Sequence, residues 1–236
     1  MLMFLKNCSL WPLVIFTLLY LSLLVLGAIY IQWNFYTRSF HRGKNEQWIS
    51  LSFDDGPAQE TNAILDILKE QNVPAVFFTI GKNALHHPEV VRRWQEEGHL
   101  IGNHSFHHGF NFDWQSAAKM KAEIKEANAA VEKIVGVRMK FFRPPYGVTN
   151  PNLAKAIRQS GMYSIGWSVR SFDTAAKDPK KLLARILQKT KGGDILLLHD
   201  SMGITRNILT ELIISLRQKG YSFVRLDKLL DLPAYE

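Results

Sequence analysis

Ile49-Ser50-Leu51-Ser52-Phe53-Asp54-Asp55-Gly56-Pro57 is the stretch of sequence that decides the fold. An apolar run of strand-forming residues ends in two adjacent carboxylates, and Gly-Pro then breaks the chain. Because side chains alternate faces along a strand, we expect Asp54 and Asp55 to occupy different environments, one suited to a metal and the other to a proton. Asp-Asp-Gly-Pro also suits a simple turn. The choice depends on whether metal-ligand histidines and a second proton carrier follow other predicted strands.

Strand and helix patterns alternate about seven times along the chain after residue 47. The spacing of apolar residues predicts helices over 60–71, 89–97, 114–135, 151–160, 179–190 and 204–219, and strands over 73–80, 100–103, 140–142, 162–169, 194–198 and 221–226. Near-continuous apolar strands indicate a parallel sheet buried on both faces, either doubly wound or closed into a barrel. The sequence has no Gly-x-Gly-x-x-Gly and no Gly-Lys-Ser/Thr, so we expect no nucleotide-binding loop.

The segment from Leu10 to Gln32 is almost wholly apolar, and no charged residue occurs between Lys6 and Arg38. As a helix it would extend roughly 35 Å, which is enough to cross a bilayer core of about 30 Å. It is longer than the apolar core of a secretory signal, and Leu26-Gly27-Ala28 is only a weak cleavage site, so we expect an uncleaved anchor. The predicted organisation is an anchor in residues 1–33, a polar linker in residues 34–46 and one globular domain in residues 47–236.

Charge and cysteine content limit the partners of this chain. Its 236 residues carry a net charge of +8 and one cysteine, Cys8, which excludes an internal disulfide and a Cys-based zinc cage. The basic charge suits membrane lipid or an acidic envelope polymer, although a solvated, mildly basic surface is the simplest interpretation. The sequence lacks a stripe of Lys/Arg interleaved with aromatics, so we do not expect nucleic acid as a partner. The amino terminus and Lys6 precede the apolar segment, whereas Arg38, Arg42 and Lys44 follow it. This balance predicts a cytoplasmic domain.

Polar residues follow several predicted strands at their carboxyl ends. In a parallel barrel these ends meet at one rim, which is where active sites lie. We therefore expect the following residues to lie close together: Asp54, Asp55, His104, His107, His108, Arg143, Asp173 and His199.

Two pairs of histidines can present imidazoles to one metal ion. His104 and His108 are four residues apart and would share a face of a helical turn, and His104 and His107, three apart, would also serve. One added carboxylate gives three protein ligands and leaves positions open for water and substrate, as in catalytic sites. Non-haem iron oxygenases use the same donor types without needing a separate carboxylate base and a distant histidine acid. A surface histidine pair in a capped turn is the simpler alternative.

His199 and Arg143 can complete such a site. His199 ends an apolar strand and titrates near neutral pH, so it can protonate a departing amine. A lone histidine at this position is more often a satisfied core residue. Arg143 precedes two prolines and can clamp a carboxylate and keep it ionised, although it also fits an ordinary surface cation.

These motifs resemble those of the polysaccharide deacetylases, the NodB-homology family of carbohydrate esterases, over about residues 47–230. Ser52-Phe53-Asp54-Asp55-Gly56-Pro57 resembles the first family motif, which implies Asp54 as the catalytic base and Asp55 as a metal ligand. Asn103-His104-Ser105-Phe106-His107-His108 resembles the second and implies His104 and His108 as the other ligands. Arg143-Pro144-Pro145-Tyr146-Gly147 resembles the third, which implies that Arg143 orients the base and that the Tyr146 backbone N–H is an oxyanion donor.

The last two family motifs are matched less evenly. Leu196-Leu197-Leu198-His199 resembles the fifth motif, which implies His199 as the general acid and Leu197 as a wall of the acetyl pocket. The fourth, typically Asp-x-x-Asp-Trp, reads Arg170-Ser171-Phe172-Asp173-Thr174 here. The resemblance implies that Asp173 tunes His199. Arg170 and Thr174 replace the first acid and the tryptophan, which leaves the substrate open.

The resemblance implies an α/β fold, a distorted and incomplete (β/α) barrel of about seven parallel strands after the transmembrane helix. It also implies a divalent metal, usually zinc, and removal of N-acetyl groups from a peptidoglycan or chitin-type glycan with release of acetate. Such substrates place the domain on the extracytoplasmic side of a bacterial envelope, in conflict with the charge balance. The alternatives are a deformylase or deacetylase of a lipid-linked sugar, an O-acetyl xylan esterase, and a non-catalytic, anchored sugar-binding module.

Overall fold

Parallel strands form the centre of the computed structural model, which describes residues 10–236. Lys6 and Cys8 lie outside the described residues. The strands are β1 (Ser39–Phe40), β2 (Trp48–Asp54), β3 (Ala75–Thr79), β4 (Leu100–Asn103), β5 (Phe141–Phe142), β6 (Tyr163–Ile165), β7 (Val169–Arg170), β8 (Ile195–His199) and β9 (Ser222–Phe223). Their order is β1-β6-β5-β4-β3-β2-β8-β7, and β9 also pairs with β2. The sheet is a curled, incomplete barrel, which confirms the predicted fold class.

The described part of the chain has nine α-helices, of which the first precedes β1, the last follows β9 and the other seven lie between β2 and β9 in chain order. They are α1 (Trp11–Ile29), α2 (Thr61–Glu70), α3 (Gly81–His86), α4 (Pro88–Glu96), α5 (Ala117–Val135), α6 (Pro151–Gln159), α7 (Pro179–Lys189), α8 (Gly203–Gln218) and α9 (Leu226–Leu230). Side chains of Asn150 and Asp178 cap α6 and α7, and Pro151 and Pro179 follow as first helical residues. The short helices α3 and α9 were not predicted, because neither is long enough to show a helical period.

The predicted helix over 114–135 begins three residues later, at Ala117. Ser116 accepts a hydrogen bond from the Lys119 backbone N–H and so acts as the helix cap. Phe112–Trp114 forms a separate 3₁₀ turn. Trp114 therefore lies in the loop before α5, and its side chain is exposed.

Alternate residues of the strands pack into two hydrophobic clusters, as expected for a sheet covered on both faces. On the helix side, the ring of Phe77 stacks between Phe53, at 5.2 Å, and Trp94, at 4.7 Å. The neighbouring residues Val76 and Phe78 belong to the other cluster. This packing fixes the sheet and aligns its carboxyl ends.

The predicted strand over 162–169 is wrong as a single element. Its first part is β6, which pairs with β1 and β5, and its last part is β7, which pairs with β8 at the far end of the strand order. The Gly166 N–H bonds to the Phe40 carbonyl at 2.8 Å, so the segment expected as a linker contributes β1 to the sheet. Two-residue strands are too short to show a period, and so the sequence does not reveal them.

Helix α1 is 19 residues long with a mean hydropathy of 2.4, and only 6 % of its most apolar 18-residue stretch is buried. At 1.5 Å per residue it extends about 28 Å, so its length and composition suffice to cross a membrane. Beyond it, Ile31 is buried and forms a small cluster with Trp167 and Leu197. The chain that leaves the helix thus packs directly against the barrel.

Candidate active site

The predicted site residues meet at the carboxyl ends of the strands. Asp54 ends β2 and lies in register with His199, the last residue of β8. The loops after β4, β5 and β7 supply the remaining polar groups. The residues brought to this rim are Asp54, Asp55, His104, His108, Arg143, Tyr146, Asp173, Leu197 and His199.

Asp55, His104 and His108 form a compact cluster whose potential ligand atoms lie within 4.8 Å of one another. The Nε2 atoms of His104 and His108 are 3.5 and 3.6 Å from Oδ1 of Asp55. That oxygen is buried and has no hydrogen-bond partner in the described part of the chain. His104 Nδ1 lies 2.7 Å from the Arg143 carbonyl, which orients Nε2 into the cluster. One carboxylate and two imidazoles in this arrangement fit a divalent metal with open coordination positions.

The electrostatics of the cluster favour a cation. Burial raises the pKa of Asp55, but the nearby imidazole of His104, together with the charges of His108 and His199, lowers it overall. Burial lowers the pKa of His104, whereas Asp54 and Asp55 raise it overall. The carboxylates therefore favour a positive charge beside them, which a metal ion would supply. Burial and the charge of His104 lower the pKa of His108 to about 4, which keeps its imidazole neutral, as a metal ligand must be.

His107 points away from the cluster. Its Nδ1 lies 2.9 Å from Oε1 of Glu123, and its side chain is exposed. Of the two histidine pairs left open by spacing, His104 and His108 are the pair that lies beside Asp55. They are not on a helical turn: Ser105 and His108 have left-handed backbone angles, and the His108 N–H donates to the Ser105 hydroxyl.

Asp54 is held by a buried arginine. Arg143 is fully buried, and its Nη1 donates to Oδ1 of Asp54 at 2.7 Å and to the Ser52 hydroxyl at 2.8 Å. Its Nη2 donates to the Gly166 carbonyl, and its guanidinium lies 4.0 Å from the ring centre of Phe78. Asp54 Oδ2 faces the Asp55–His104–His108 cluster, 3.9 Å from His104 Nε2. One carboxylate oxygen is thus fixed, and the other is directed into the site.

His199 is paired with a buried carboxylate. Its Nδ1 is 2.8 Å from Oδ1 of Asp173, whose Oδ2 accepts the His199 backbone N–H at 2.7 Å and the Thr205 hydroxyl at 2.6 Å. Burial lowers the pKa of His199, but the hydrogen bond and charge of Asp173, with the charges of Asp54 and Asp55, raise it to about 9. The Nε2 atom faces the cluster, 4.0 Å from Asp55 Oδ2.

These groups line a cavity of about 250 Å³. Leu197, Trp167 and Tyr146 form its less polar wall, and the Tyr146 ring lies 4.7 Å from that of His108. Arg170 and Thr174 lie at the same mouth. A larger depression of about 630 Å³ lies around Arg225–Pro233 near the amino end of β2, but the described residues that line it include no histidine. The candidate site is therefore the smaller cavity, which is lined by the histidines and carboxylates.

Three residues at this rim were not predicted. Thr205 donates a hydrogen bond to Asp173. The sequence indicates this contact only through a hydroxyl residue in the helix directly after β8. Asp200 follows His199, is fully buried and accepts the Thr61 hydroxyl at 2.6 Å, and a Cβ on Gly56 would collide with its carboxylate. Burial raises the pKa of Asp200 to about 7. Trp167 belongs to none of the sequence motifs. It reaches the cavity because the chain breaks between β6 and β7, and the sequence does not show that break.

Left-handed backbone angles concentrate at this rim. Eight described non-glycine residues have positive φ, and five of them surround the site. They are Asp55 (φ 76°), Ser105 (φ 66°), His108 (φ 52°), Tyr146 (φ 57°) and Phe172 (φ 58°). Such angles are strained for residues with a Cβ and are typical of functional sites.

Known proteins are similar to this chain in sequence and in fold. The family model for polysaccharide deacetylase matches residues 41–165. The peptidoglycan-N-acetylglucosamine deacetylase PgdA of Listeria monocytogenes is 34 % identical over 189 residues, 80 % of this chain and 40 % of that protein. The peptidoglycan-N-acetylmuramic acid deacetylase PdaA of Bacillus subtilis is 32 % identical over 198 residues, 81 % of this chain and 75 % of that protein. The solved structure of the Bc1960 peptidoglycan N-acetylglucosamine deacetylase has a TM-score of 0.79 at 30 % identity, covering 84 % of this chain and 94 % of that chain.

The chain spans less than half the length of the Listeria relative. The family match nevertheless covers more than half of the 236 residues, and the similarity to PdaA extends over most of both chains. The motifs, the barrel and the comparisons agree. This chain belongs to the polysaccharide deacetylase family.

Proposed function

We propose that this protein is a metal-dependent hydrolase that removes N-acetyl groups from amino sugars of a peptidoglycan or chitin-type glycan and releases acetate. One observation carries the proposal. The Asp55–His104–His108 cluster lies between two separately supported proton carriers, Asp54 and His199. Hydrolysis of an amide needs both, since a proton leaves the attacking water and another reaches the departing amine.

A divalent ion, which we propose to be zinc, would be held by Asp55, His104 and His108 and would polarise the acetyl carbonyl and acidify a bound water. The neutral imidazole of His108 and the unpartnered oxygen of Asp55 support this assignment.

Asp54 is proposed as the base. Arg143 engages Oδ1 and leaves Oδ2 to take a proton from the attacking water. The base therefore needs no further movement to act, because its carboxylate is already oriented by a buried cation. The backbone N–H of Tyr146 is proposed as a donor to the oxyanion that forms at the acetyl carbonyl.

His199 is proposed as the acid. Its raised pKa keeps the imidazole protonated at neutral pH, and the bond from Nδ1 to Asp173 directs Nε2 into the cavity. The proton at Nε2 passes to the sugar nitrogen as the C–N bond breaks, which yields acetate and a free amino sugar. Leu197 and Trp167 provide an apolar wall of a size suited to the acetyl methyl group.

Two alternatives keep the fold and change the chemistry. An O-acetyl esterase for xylan would use the same metal and base, but its leaving alcohol depends less on an acid such as His199. A sugar-binding module without activity would need neither Asp173 nor Arg143, and both are buried charges that are costly to keep. The supported proton carriers therefore favour the deacetylase.

We also propose that α1 anchors the protein in a membrane, with the catalytic domain on the extracytoplasmic side. The length and hydropathy of α1 support the anchor, and wall-directed relatives support the side. A cysteine-accessibility assay on intact cells, with cysteine placed at the exposed Lys121, would label the domain from outside only if this side is right.

Acetate release by the full-length protein tests the activity. Chitin oligomers, peptidoglycan and acetylated xylan should be compared, each with and without a chelator and after zinc is restored. We expect chelator-sensitive release from an N-acetylated substrate and almost none from the Asp54→Asn variant. Release that persists in Asp54→Asn, or that occurs only from xylan, would contradict the proposal. His107→Ala is the matched control, since His107 lies outside the cluster.

A further inference from the structure

The chain that leaves α1 contacts the wall of the catalytic cavity. The carbonyl of Ala28 accepts the Thr149 N–H at 2.9 Å, and the Gln32 side chain donates to the Trp167 carbonyl at 2.9 Å. Ile31 is 1 % exposed and packs with Trp167 and Leu197, both of which line the catalytic cavity. An apolar helix of membrane-spanning length thus ends directly beside the catalytic site.

A second cavity, of about 330 Å³, lies where the helix end meets the barrel. Tyr30 and Gln32 line it from the helix side, and Lys189 lines it from the barrel side. It shares Trp167 and Arg170 with the catalytic cavity, so the two are neighbours. A ligand bound in the catalytic cavity can therefore extend toward the end of α1.

This second cavity is basic. Arg170 and Lys189 line it, and no acidic residue among those described does. The guanidinium of Arg170 lies 5.0 Å from the ring centre of Phe172, and that of Arg185, which does not line this cavity, lies 4.2 Å from the same ring and donates to the Arg170 carbonyl. Within the part of the chain that the structure describes, neither arginine nor Lys189 has a carboxylate within salt-bridge distance. A guanidinium stacked on a ring keeps its N–H donors available at its edge. Arg170 and Lys189 can therefore bind an anion of the size of a phosphate.

Exposed aromatic residues occur on the same side of the molecule. Tyr30 and Trp33 stack at 5.2 Å just beyond α1, and both are about half exposed. Trp114 is 90 % exposed, and the backbone carbonyl of its neighbour Asp113 accepts a hydrogen bond from the side chain of Asn150, the residue after Thr149. Tryptophan and tyrosine are enriched where a membrane protein meets the lipid–water interface. With α1 anchored as proposed above, these residues would lie at the bilayer surface together with the mouth of the catalytic cavity.

We propose that the sugar deacetylated here is carried on a membrane lipid through a phosphate. The amino sugar occupies the catalytic cavity, its phosphate lies between Arg170 and Lys189, and the lipid chain enters the bilayer beside α1. The inference rests on the proposed deacetylase activity and replaces its free glycan substrate with an amino sugar linked to a lipid. A neutral, soluble glycan would leave both cations without a partner and would gain nothing from a helix packed at the cavity.

Four acetylated probes test the inference with the full-length chain in phosphatidylcholine vesicles. They are a polyprenyl phosphate ester of N-acetylglucosamine, the neutral polyprenyl glycoside of the same sugar, soluble N-acetylglucosamine 1-phosphate, and a soluble oligomer that carries muramic acid carboxylates. We expect the phosphate-linked lipid to have the highest kcat/KM. Arg170→Gln should lower the ratio of kcat/KM for the charged lipid to that for the neutral lipid by about tenfold or more.

Arg158→Gln is the matched control, because Arg158 is an exposed arginine near the carboxyl end of α6, away from the rim. It should leave the ratio unchanged. Equal kcat/KM for the two lipids, or a ratio insensitive to Arg170→Gln, would overturn the inference while the deacetylase stands. A muramic oligomer that is the better substrate, with the same dependence on Arg170, would also overturn it and would assign the anion to the glycan.

Binding separates this inference from the proposed function. Labelled polyprenyl phosphate should bind the full-length protein in neutral detergent, and an Arg170→Gln/Lys189→Gln double variant should weaken that binding by at least tenfold. This measurement needs no turnover. Absence of acetate from every probe would defeat the proposed function, whereas equal binding by both proteins would defeat the inference alone.

Discussion

Replacing Asp173 with asparagine should move the alkaline limb of the pH–activity profile to lower pH. Burial lowers the pKa of His199, and the hydrogen bond and charge of Asp173, with the charges of Asp54 and Asp55, raise it to about 9. Without the negative charge of Asp173, this pKa should fall toward the ordinary histidine value of about 6.5. The limb should therefore move by about 2.5 pH units.

The sign follows from the role of His199. A general acid acts only when protonated, so activity is lost as the pH rises through its pKa. With a pKa of about 9 most molecules are protonated at pH 8, and with a pKa of about 6.5 only a few per cent are, which predicts a roughly 30-fold loss of kcat/KM at that pH. A cation bound at Asp55 would lower the pKa in both proteins alike, so the difference between the profiles reports on Asp173.

The assay is kcat/KM for acetate release between pH 5 and pH 10, with thermal unfolding measured for each protein. Thr205→Val is the matched control, because it removes one hydrogen bond to Asp173 and keeps the charge. Its alkaline limb should shift by well under one unit. A folded Asp173→Asn protein whose alkaline limb coincides with that of the wild type would refute the assignment of His199 as the acid.

The same pair affects stability. A raised pKa in the folded state stabilises the fold fully below the unfolded value near 6.5, and this contribution disappears as the pH rises through about 9. Asp173→Asn should therefore lose more free energy of unfolding at pH 6 than at pH 10. Urea denaturation at the two pH values measures this difference.

Three further changes test other parts of the site. Asp54→Asn should lower kcat by about 10²–10⁴-fold while zinc binding, measured by chelator competition, persists; loss of zinc instead would exchange the roles of the two aspartates. His108→Ala should weaken zinc binding at least tenfold and His107→Ala should not, and equal effects would contradict the ligand assignment. Arg143→Met should destabilise the fold by about 3–5 kcal/mol in urea denaturation, because it leaves Asp54 buried without its partner, whereas the exposed Arg138→Met should have a much smaller effect.

The sequence predicted those parts of the site that lie at strand ends. Parallel strands bring their carboxyl ends to one rim, so the positions of Asp54 and His199 at the ends of two apolar runs were enough to predict that they are neighbours. Helices with a full apolar period were also predicted, with ends that differ by a few residues. The division of roles between Asp54 and Asp55 stays a prediction that the proposed variants test.

Other features depend on contacts that no local pattern encodes. Spacing alone could not choose between His107 and His108, since the choice follows from Glu123, which holds His107 from a distant helix. The contact of Gln32 with Trp167 joins residues 135 positions apart. It exists only because the predicted strand over 162–169 breaks and lets Trp167 face the helix end.

The left-handed backbone angles at the rim affect which substitutions would stabilise this protein. Each such backbone costs of order 1 kcal/mol for a residue with a Cβ, and glycine would avoid most of that cost. Selection for heat resistance alone, with no demand for turnover, should therefore accumulate glycine or asparagine at Ser105, Tyr146 and Phe172. A homologue that had lost its activity would then carry glycine or asparagine at these left-handed positions, even where its polar site residues were retained.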